Sequence, residues 1–339
     1  MNAFDKMNEG QNKKKEKKDL LKKKEEKKIK QKIPKKDLLK KKEEKKIKQK
    51  IPKKEKKPKK EKKPKKEKKP KKEKEYKPTY SLTVGNGGEN HTGMEFIGSM
   101  RNKGEGWDLT RLQHAKGILE DIFNLEVVIY NLNDLLEGVE IKEKLQPEPA
   151  YFMIVKNFLA ENVHKKFLKE LNSYEWDAKY FCTRRKKVLN KHARTNVCYG
   201  KNYRAPDYEN KKGTIIGYEQ SPLVLRLKQC VESLMKDKDL IVEGNKYLDV
   251  KKNGIGAHGD TERVMVACLR VGEGMPMKYG WFHKCKVVGK TLTVNVPGGS
   301  LYFMSEKAVG ADWKGNSKYT LRHAAGAAKY LKMKGEVVE

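Results

Sequence analysis

The chain has 339 residues, of which 79 are Lys or Arg and 45 are Asp or Glu, so its formal net charge is +34. No apolar run reaches the roughly twenty residues that cross a bilayer, and no apolar segment follows Met1, which argues against a membrane protein and a secretory signal. Five dispersed cysteines without C-x-x-C spacing argue against a disulfide framework and a structural zinc site. We therefore expect a soluble intracellular protein, nuclear or cytoplasmic, with no membrane partner.

Residues 1–75 form a lysine-rich repeat segment. They contain 37 Lys against 14 Asp plus Glu, which gives +23 of the total charge, and the sequence KKDLLKKKEEKKIKQKIP occurs at 17–34 and again at 35–52. A segment with so few large apolar residues cannot bury a core, so we predict a disordered tail. Its charge favours nucleic acid as a partner. A localisation signal, a tether to acidic membranes and simple solubilisation are the alternatives.

Residues 76–147 are predicted to be a small α/β accessory segment of unknown role. SLTVGNGGENH indicates a strand and a glycine-rich turn, the apolar spacing over 109–123 indicates a helix, and LEVVIYN indicates a further strand. Glu89, Asn90 and His91 are the chemically suggestive cluster here, and a hydrogen-bonded turn is the simpler interpretation. The prolines of LQPEPA mark the boundary of the next domain.

Residues 148–339 show two amphipathic helices followed by many short strands. The first helix follows YFMIV and turns Phe167, Leu168 and Leu171 toward the core, and the second begins with Pro222. Helices followed by a run of strands predict an α+β fold. The loop 184–208 between the helices alternates basic and aromatic residues.

The sequence NGIGAHGDTER contains the most informative motif of the chain. His258 and Asp260 are two residues apart, so on a strand both side chains project from one face. Two imidazoles and one carboxylate form the facial triad that holds Fe(II) and leaves positions open for other ligands. His323, in TLRHAAG, is the candidate third ligand. His283 is its rival, and a buried structural histidine is the alternative role for His323.

The surroundings of this motif resemble the AlkB-like Fe(II)/2-oxoglutarate dioxygenases. Asn245 and Tyr247 match an N-x-Y motif, the sequence from His258 to Glu262 matches H-x-D-x-E, and PGGSLYFMSEKA is similar to a later strand of that family. The resemblance implies a double-stranded β-helix (jelly-roll) catalytic domain. It also implies Fe(II) on His258, Asp260 and His323, and 2-oxoglutarate hydrogen-bonded by Asn245 and Tyr247.

The C-terminal ending departs from the AlkB pattern, which finishes in a strand whose two arginines bind 2-oxoglutarate. RHAAGAAKYLK looks more like the ending of prolyl-hydroxylase-like members of the superfamily, which implies Lys329 as the partner of the 2-oxoglutarate carboxylate. Arg322 and Lys332 are rivals for this role. Glu262 and Arg263 are expected near the substrate mouth, or as a structural ion pair.

The implied activity is oxidation of a substrate C–H bond by O2, with 2-oxoglutarate converted to succinate and CO2. A nucleobase in DNA or RNA, hydroxylated or oxidatively demethylated, is the favoured substrate because of the basic tail and because Tyr199, Tyr203 and Tyr208 could stack on an extruded base. A protein side-chain hydroxylase and a catalytically silent nucleic-acid-binding module are the alternatives.

Overall fold

The computed structural model describes Phe4 and residues 77–336. The predicted disordered tail therefore lies outside the described residues, apart from Phe4. The strands are β1 (Thr79–Gly85), β2 (Gly87–Glu89), β3 (Phe96–Gly98), β4 (Val127–Asn131), β5 (Tyr151–Val155), β6 (Lys179–Cys182), β7 (Lys187–Asn190), β8 (Thr195–Gly200), β9 (Ile215–Gly217), β10 (Ile241–Tyr247), β11 (Gly254–His258), β12 (Val266–Gly272), β13 (Met275–His283), β14 (Lys286–Val296), β15 (Leu301–Met304) and β16 (Thr320–Gly326).

The described helices are fewer than the strands. They are α1 (Leu109–Gly117), which continues as a π-helical turn (Ile118–Ile122), α2 (Glu161–Leu171), α3 (Pro222–Leu234), α4 (Glu306–Val309) and α5 (Ala328–Leu331), with 3-10 turns at Leu132–Leu136 and Glu143–Leu145. The fold is α+β and consists mostly of antiparallel strands, as the sequence predicts. No helix among residues 77–336 is long and apolar enough to cross a membrane.

A large sheet of eight strands has the order β4-β5-β15-β12-β1-β10-β8-β9. Its pairs are antiparallel except β8 with β9. The strand β1 lies between β10 and β12, with Tyr80 opposite both Lys246 and Val271. The segment 76–147, predicted as an accessory part, thus contributes β1 and β4 to the same sheet as the strands of residues 148–339.

The side chains of β1 alternate between two environments. Successive side chains of a strand point to opposite faces. Tyr80, Leu82 and Val84 are fully buried in an apolar core, whereas Ser81 and Thr83 face a cavity on the other side. The strand therefore has one face for packing and one polar face.

The helices α2 and α3 cover the apolar face of the large sheet. Phe167 and Leu171 of α2 and Leu227 of α3 belong to the same core cluster as Leu82. The helix α3 begins at Pro222, as predicted, and the Glu170 carboxylate accepts hydrogen bonds from its first backbone N–H groups at 3.0 and 3.2 Å. A carboxylate at a helix N-terminus satisfies donors that have no partner within the helix.

A small sheet has the order β11-β16-β13-β14. Side chains of both sheets, including Ile154 and Tyr302 of the large sheet and Trp281 and Leu321 of the small sheet, form a second core. In the small sheet His258 pairs with His323, which in turn pairs with Tyr279. This register brings residues that are 65 positions apart in the sequence to neighbouring strands.

Two features lie outside the large and the small sheet. The hairpin of β6 and β7 exposes Arg184, Arg185, Lys186 and Lys187 at and beside its turn. Phe4 is fully buried, with its ring edge-on to Phe158 and Phe167 at 6.0 and 5.5 Å. The five cysteines, all of which lie within residues 77–336, form no disulfide.

Candidate active site between the two sheets

His258, Asp260 and His323 converge at one end of the small sheet. Their ligand atoms all lie within 4.8 Å of one another. Asp260 Oδ1 is 3.5 Å from His258 Nε2 and 3.8 Å from His323 Nε2, so one carboxylate oxygen faces both imidazoles. The Asp260 backbone N–H donates to the Val309 carbonyl at 3.0 Å, which fixes the chain just beyond β11.

The turn that carries Asp260 depends on a glycine. A Cβ at Gly259 would lie 2.1 Å from the Gly310 carbonyl oxygen, a distance at which no side chain fits. The loop after β11 can therefore approach the end of α4 only because residue 259 has no side chain. This close approach positions Asp260 opposite the two histidines.

The hydrogen bonding of His258 determines which ring nitrogen faces the carboxylate. Its Nδ1 lies 2.8 Å from the Gly256 carbonyl oxygen. A carbonyl can only accept, so Nδ1 carries the hydrogen and Nε2 of the neutral ring keeps its lone pair. That lone pair points toward Asp260, as a metal ligand requires.

Burial and charge set the protonation of the other two groups. Burial, followed by the neighbouring His258, lowers the pKa of His323 to about 3 against the opposing effect of Asp260, so the ring is neutral at pH 7. Burial acts to raise the pKa of Asp260, but Arg263 and then the two imidazoles hold that pKa below its ordinary value. The site therefore presents the neutral imidazole of His323 beside an ionised Asp260 carboxylate.

Arg263 holds the far side of the Asp260 carboxylate. Its Nε lies 3.4 Å from Asp260 Oδ2, and its NH2 group donates to Glu243 at 2.6 Å and to Glu262 at 2.8 Å. Arg263 is only 6% exposed. Because this guanidinium binds Oδ2, the other oxygen, Oδ1, stays directed at the histidines. Both Glu262 and Arg263 border the cavity in front of the triad.

A cavity of about 510 Å³ opens in front of the three residues. Both sheets line it, through β1, β10 and β12 on one side and β11, β13 and β16 on the other. Two further stretches border it, namely residues 89, 91 and 92 at and after the end of β2, and residues 313 and 314 before β16. This volume falls within the usual range of small-ligand pockets, about 300–1,000 Å³.

The structure brings Asn245 and Tyr247 to this cavity, as predicted. Asn245 Oδ1 accepts hydrogen bonds from Arg194 Nε at 2.7 Å and from Asn196, and Tyr247 is buried beside it. Arg194 also borders the cavity. It belongs to the loop 184–208 of alternating basic and aromatic residues, and its side chain reaches inward to Asn245.

The three basic residues predicted as partners of the 2-oxoglutarate carboxylate do not border the cavity. Lys329 is exposed in α5, with Nζ 4.9 Å from the centre of its neighbour Tyr330, and Lys332 is exposed as well. Arg322 lies on the opposite face of β16 from His323, with its guanidinium 4.2 Å from the centre of the Phe282 ring. The alternation of side chains along β16 explains why neighbours of a cavity-facing histidine face away.

His283 and the three predicted stacking tyrosines also lie elsewhere. The His283 ring stacks on Tyr319 at 4.7 Å, outside the cavity lining. Tyr199 is buried with its hydroxyl 2.8 Å from that of Tyr174, and Tyr208 donates to Asp177 at 2.8 Å. Tyr203 is 55% exposed and borders a separate surface cavity. None of the three tyrosines faces the cavity beside His258.

Arg270 is a cavity residue that sequence reasoning missed. It lies on β12, is 1% exposed and donates from one terminal nitrogen to Ser81 of β1. Its Nε has no hydrogen-bond partner within the described part of the chain. The signal was a single arginine in the apolar run VMVACLRV, since a buried cation needs a partner.

The comparisons with known proteins give one informative match. No protein-family model matches the chain. The uncharacterized protein R156 of Acanthamoeba polyphaga mimivirus is 37% identical over 262 residues, which cover 76% of this chain and 99% of the viral protein. Identity at this level over nearly the whole length of the relative means that this chain belongs to the same family as the mimivirus protein R156.

Proposed function

We propose that the protein is an Fe(II)- and 2-oxoglutarate-dependent dioxygenase, with His258, Asp260 and His323 as the iron ligands. The observation that carries the proposal is the approach of three donor atoms to within 4.8 Å in one cavity. Two imidazole nitrogens and one carboxylate oxygen suit a non-haem Fe(II) centre. The tautomer of His258 supports the same assignment, because its Nε2 lone pair is available on the side of Asp260.

We further propose that the two sheets form the double-stranded β-helix that the resemblance implies. In AlkB-like proteins a final strand with arginines completes the site. Here α5 follows β16 directly, and β1 occupies the sheet position between β10 and β12. On this proposal the strand nearest the N-terminus replaces the final strand, and its Ser81 supports Arg270 in place of a C-terminal arginine.

Arg270 is the best candidate to bind the distal carboxylate of 2-oxoglutarate, ahead of Lys329. It is a buried cation that faces the cavity, and its Nε is without a partner among the described residues. A bidentate carboxylate would supply that partner. Asn245 and Tyr247 border the same part of the cavity and supply polar groups for the rest of the cosubstrate.

When bound, iron and 2-oxoglutarate would supply the oxidation of a substrate C–H bond by O2. The chain's own residues position these reactants. Arg263 fixes Asp260 so that one oxygen remains free for the metal, and Gly256 fixes the His258 ring. The walls of β10, β12 and β16 keep bulk water away from the buried His323, which is 5% exposed.

The proposed substrate is a nucleobase in DNA or RNA. The lysine-rich segment carries +23, and Arg184, Arg185, Lys186 and Lys187 are exposed on one hairpin, which together favour a polyanion. Polyanion binding positions a substrate without selecting it. A protein side-chain hydroxylase loses its main support with Lys329, because that residue faces solvent.

The test is substitution of His258, Asp260 and His323 by alanine, one at a time. Each variant should lose Fe(II)-dependent formation of succinate from 2-oxoglutarate, and each should bind Mn²⁺ more weakly in calorimetry. His283→Ala is the matched control, since this histidine is equally part of the small sheet but lies outside the cavity. Full turnover in any folded triad variant would refute the assignment of that ligand.

A further inference from the structure

Residues 89–92, at the end of β2 and in the turn after it, form part of the cavity rim and have no role in the proposed metal site. Glu89, His91 and Thr92 border the cavity, and Asn90 between them is buried. These residues come from the part of the chain that precedes α1, far in sequence from His258. We call residues 89–92 the rim segment.

Asn90 anchors the rim segment through both ends of its side chain. Its Nδ2 donates to Asp177 at 2.7 Å and to the Asn196 carbonyl at 3.2 Å. Its Oδ1 and its backbone carbonyl accept hydrogen bonds from Lys191 Nζ at 2.6 and 3.2 Å. Three hydrogen bonds to the buried side-chain amide and one to the backbone carbonyl orient this residue firmly. The side chains on either side of it, Glu89 and His91, are therefore directed consistently into the cavity.

His91 presents an aromatic face to the cavity. Its ring is stacked on Tyr180, with centroids 3.7 Å apart and planes at 15°. Tyr180 does not border the cavity, whereas His91 does. Tyr180 thus covers one face of the imidazole, which leaves the other face for a ligand in the cavity that His91 borders. Burial lowers the pKa of His91 to about 4, so this face is uncharged at pH 7.

Glu89 supplies hydrogen-bond acceptors beside this face. One carboxylate oxygen accepts from the Gly93 N–H at 3.0 Å, which leaves acceptor capacity on the carboxylate. Burial, and then Glu262 and Glu243, act to raise the pKa of Glu89, which indicates that it lies near the carboxylates around Arg263. The rim segment therefore carries a hydrogen-bond acceptor at Glu89 and a flat uncharged ring at His91, on either side of the anchored Asn90.

We propose that the rim segment is the recognition site for a planar heteroaromatic ring that carries an amino group, with His91 stacking on the ring and Glu89 accepting from the amino N–H. Adenine, guanine and cytosine have both properties, so this inference rests on the proposed function and names the residues that select the base. Stacking is tolerant of sequence, whereas the acceptor distinguishes amino-bearing bases from others.

The probe is a single-stranded thymidine oligonucleotide with one central 2-aminopurine, studied with the metal-free full chain in EDTA. Because the lysine-rich segment would bind any oligonucleotide, the readout at saturating protein is the quenching of 2-aminopurine fluorescence, which reports stacking. His91→Ala should lower the ratio of stacked to unstacked base about tenfold, as is typical for loss of one aromatic platform. His91→Phe keeps a flat ring and should restore the quenching.

Glu89 is tested by the same oligonucleotide with purine, which lacks the amino group, in place of 2-aminopurine. In the intact protein the 2-aminopurine oligonucleotide should compete for the cavity more strongly than the purine oligonucleotide. Glu89→Ala should remove that preference. Glu89→Gln retains an acceptor oxygen and should keep part of the preference. His114→Ala is the matched histidine control, since His114 is exposed on α1.

Two results would overturn the proposal. The first is an absence of quenching in the intact protein, and the second is unchanged quenching in a folded His91→Ala variant. The experiment contains no iron, so its result is independent of the metal site. Loss of succinate formation in the Asp260→Ala variant reports on the proposed activity, and quenching reports on the rim segment, which keeps the two failures distinguishable.

Discussion

Replacing Arg263 with methionine should destabilise the metal-free protein strongly. The guanidinium pairs with Asp260, Glu243 and Glu262, and it is 6% exposed. Removing one partner of a buried ion pair costs roughly 3–5 kcal/mol, because the remaining charge stays buried without compensation. For a domain of this size that free energy corresponds to a fall in melting temperature of about 6–20 °C.

The pH dependence of this loss of stability distinguishes the effect of the missing charge from the effect of altered packing. Without Arg263, we expect burial, the largest influence on this carboxyl, to outweigh the two histidines and to raise the pKa of Asp260 above its unfolded value. A carboxyl group whose folded pKa is raised destabilises the protein at high pH, and protonation relieves the effect. The difference in unfolding free energy between the variant and the intact protein should therefore be larger at pH 7.5 than at pH 5, measured by urea titration in EDTA.

Lys290→Met is the matched control. Lys290 pairs with Glu137 at 3.1 Å, but both side chains are more than two-thirds exposed, so its loss should cost less than about 1 kcal/mol. Arg263→Lys should be intermediate, since an ammonium group lacks the planar fork that reaches several carboxylates. A cost below about 1 kcal/mol for Arg263→Met, or a cost that does not change with pH, would contradict the reasoning from burial and charge.

Three other predictions test separate parts of the molecule. Arg270→Met should raise the 2-oxoglutarate concentration for half-maximal turnover by more than about tenfold, whereas Lys329→Met should leave it nearly unchanged, and equal effects would reject Arg270 as the carboxylate partner. Phe4→Ala should lower the free energy of unfolding by about 3–5 kcal/mol in urea titration, because the ring is fully buried. A change near zero would mean that Phe4 does not contribute to the core. Arg184→Ala combined with Arg185→Ala should reduce the slope of log affinity for DNA against log salt by about 2, and an unchanged slope would exclude this hairpin as a phosphate contact.

Sequence reasoning identified the residues of the candidate site better than their surroundings. The two-residue spacing of His258 and Asp260 predicted that both project from one face of a strand, whereas β11 ends at His258 and Asp260 reaches the histidines from the loop beyond it. The pairing of His258 with His323 depends on the order of the strands in the small sheet, which spacing alone does not determine. Lys329 was predicted from its position after His323, but the chain leaves β16 before that residue and turns into α5.

The large sheet shows more clearly which features cannot be predicted from the sequence. The alternation of residues 79–85 predicts a strand, but its partners β10 and β12 lie far away in the sequence, and no local pattern indicates which strands it joins. For the same reason residues 76–147 could not be recognised as part of the large sheet. Arg270 was overlooked because an isolated cation in an apolar run gives no indication of the cavity it faces.

The central place of β1 has a consequence for the synthesis of the protein. A ribosome delivers Tyr80, Leu82 and Val84 first, and the nearest partner strand, β10, follows more than 150 residues later. At about 5–20 residues per second this apolar strand waits roughly 8–30 s with both edges unpaired. Such a strand is prone to pair with other nascent chains. We expect the 37 lysines of residues 1–75, which precede it in the sequence, to oppose this association by charge repulsion.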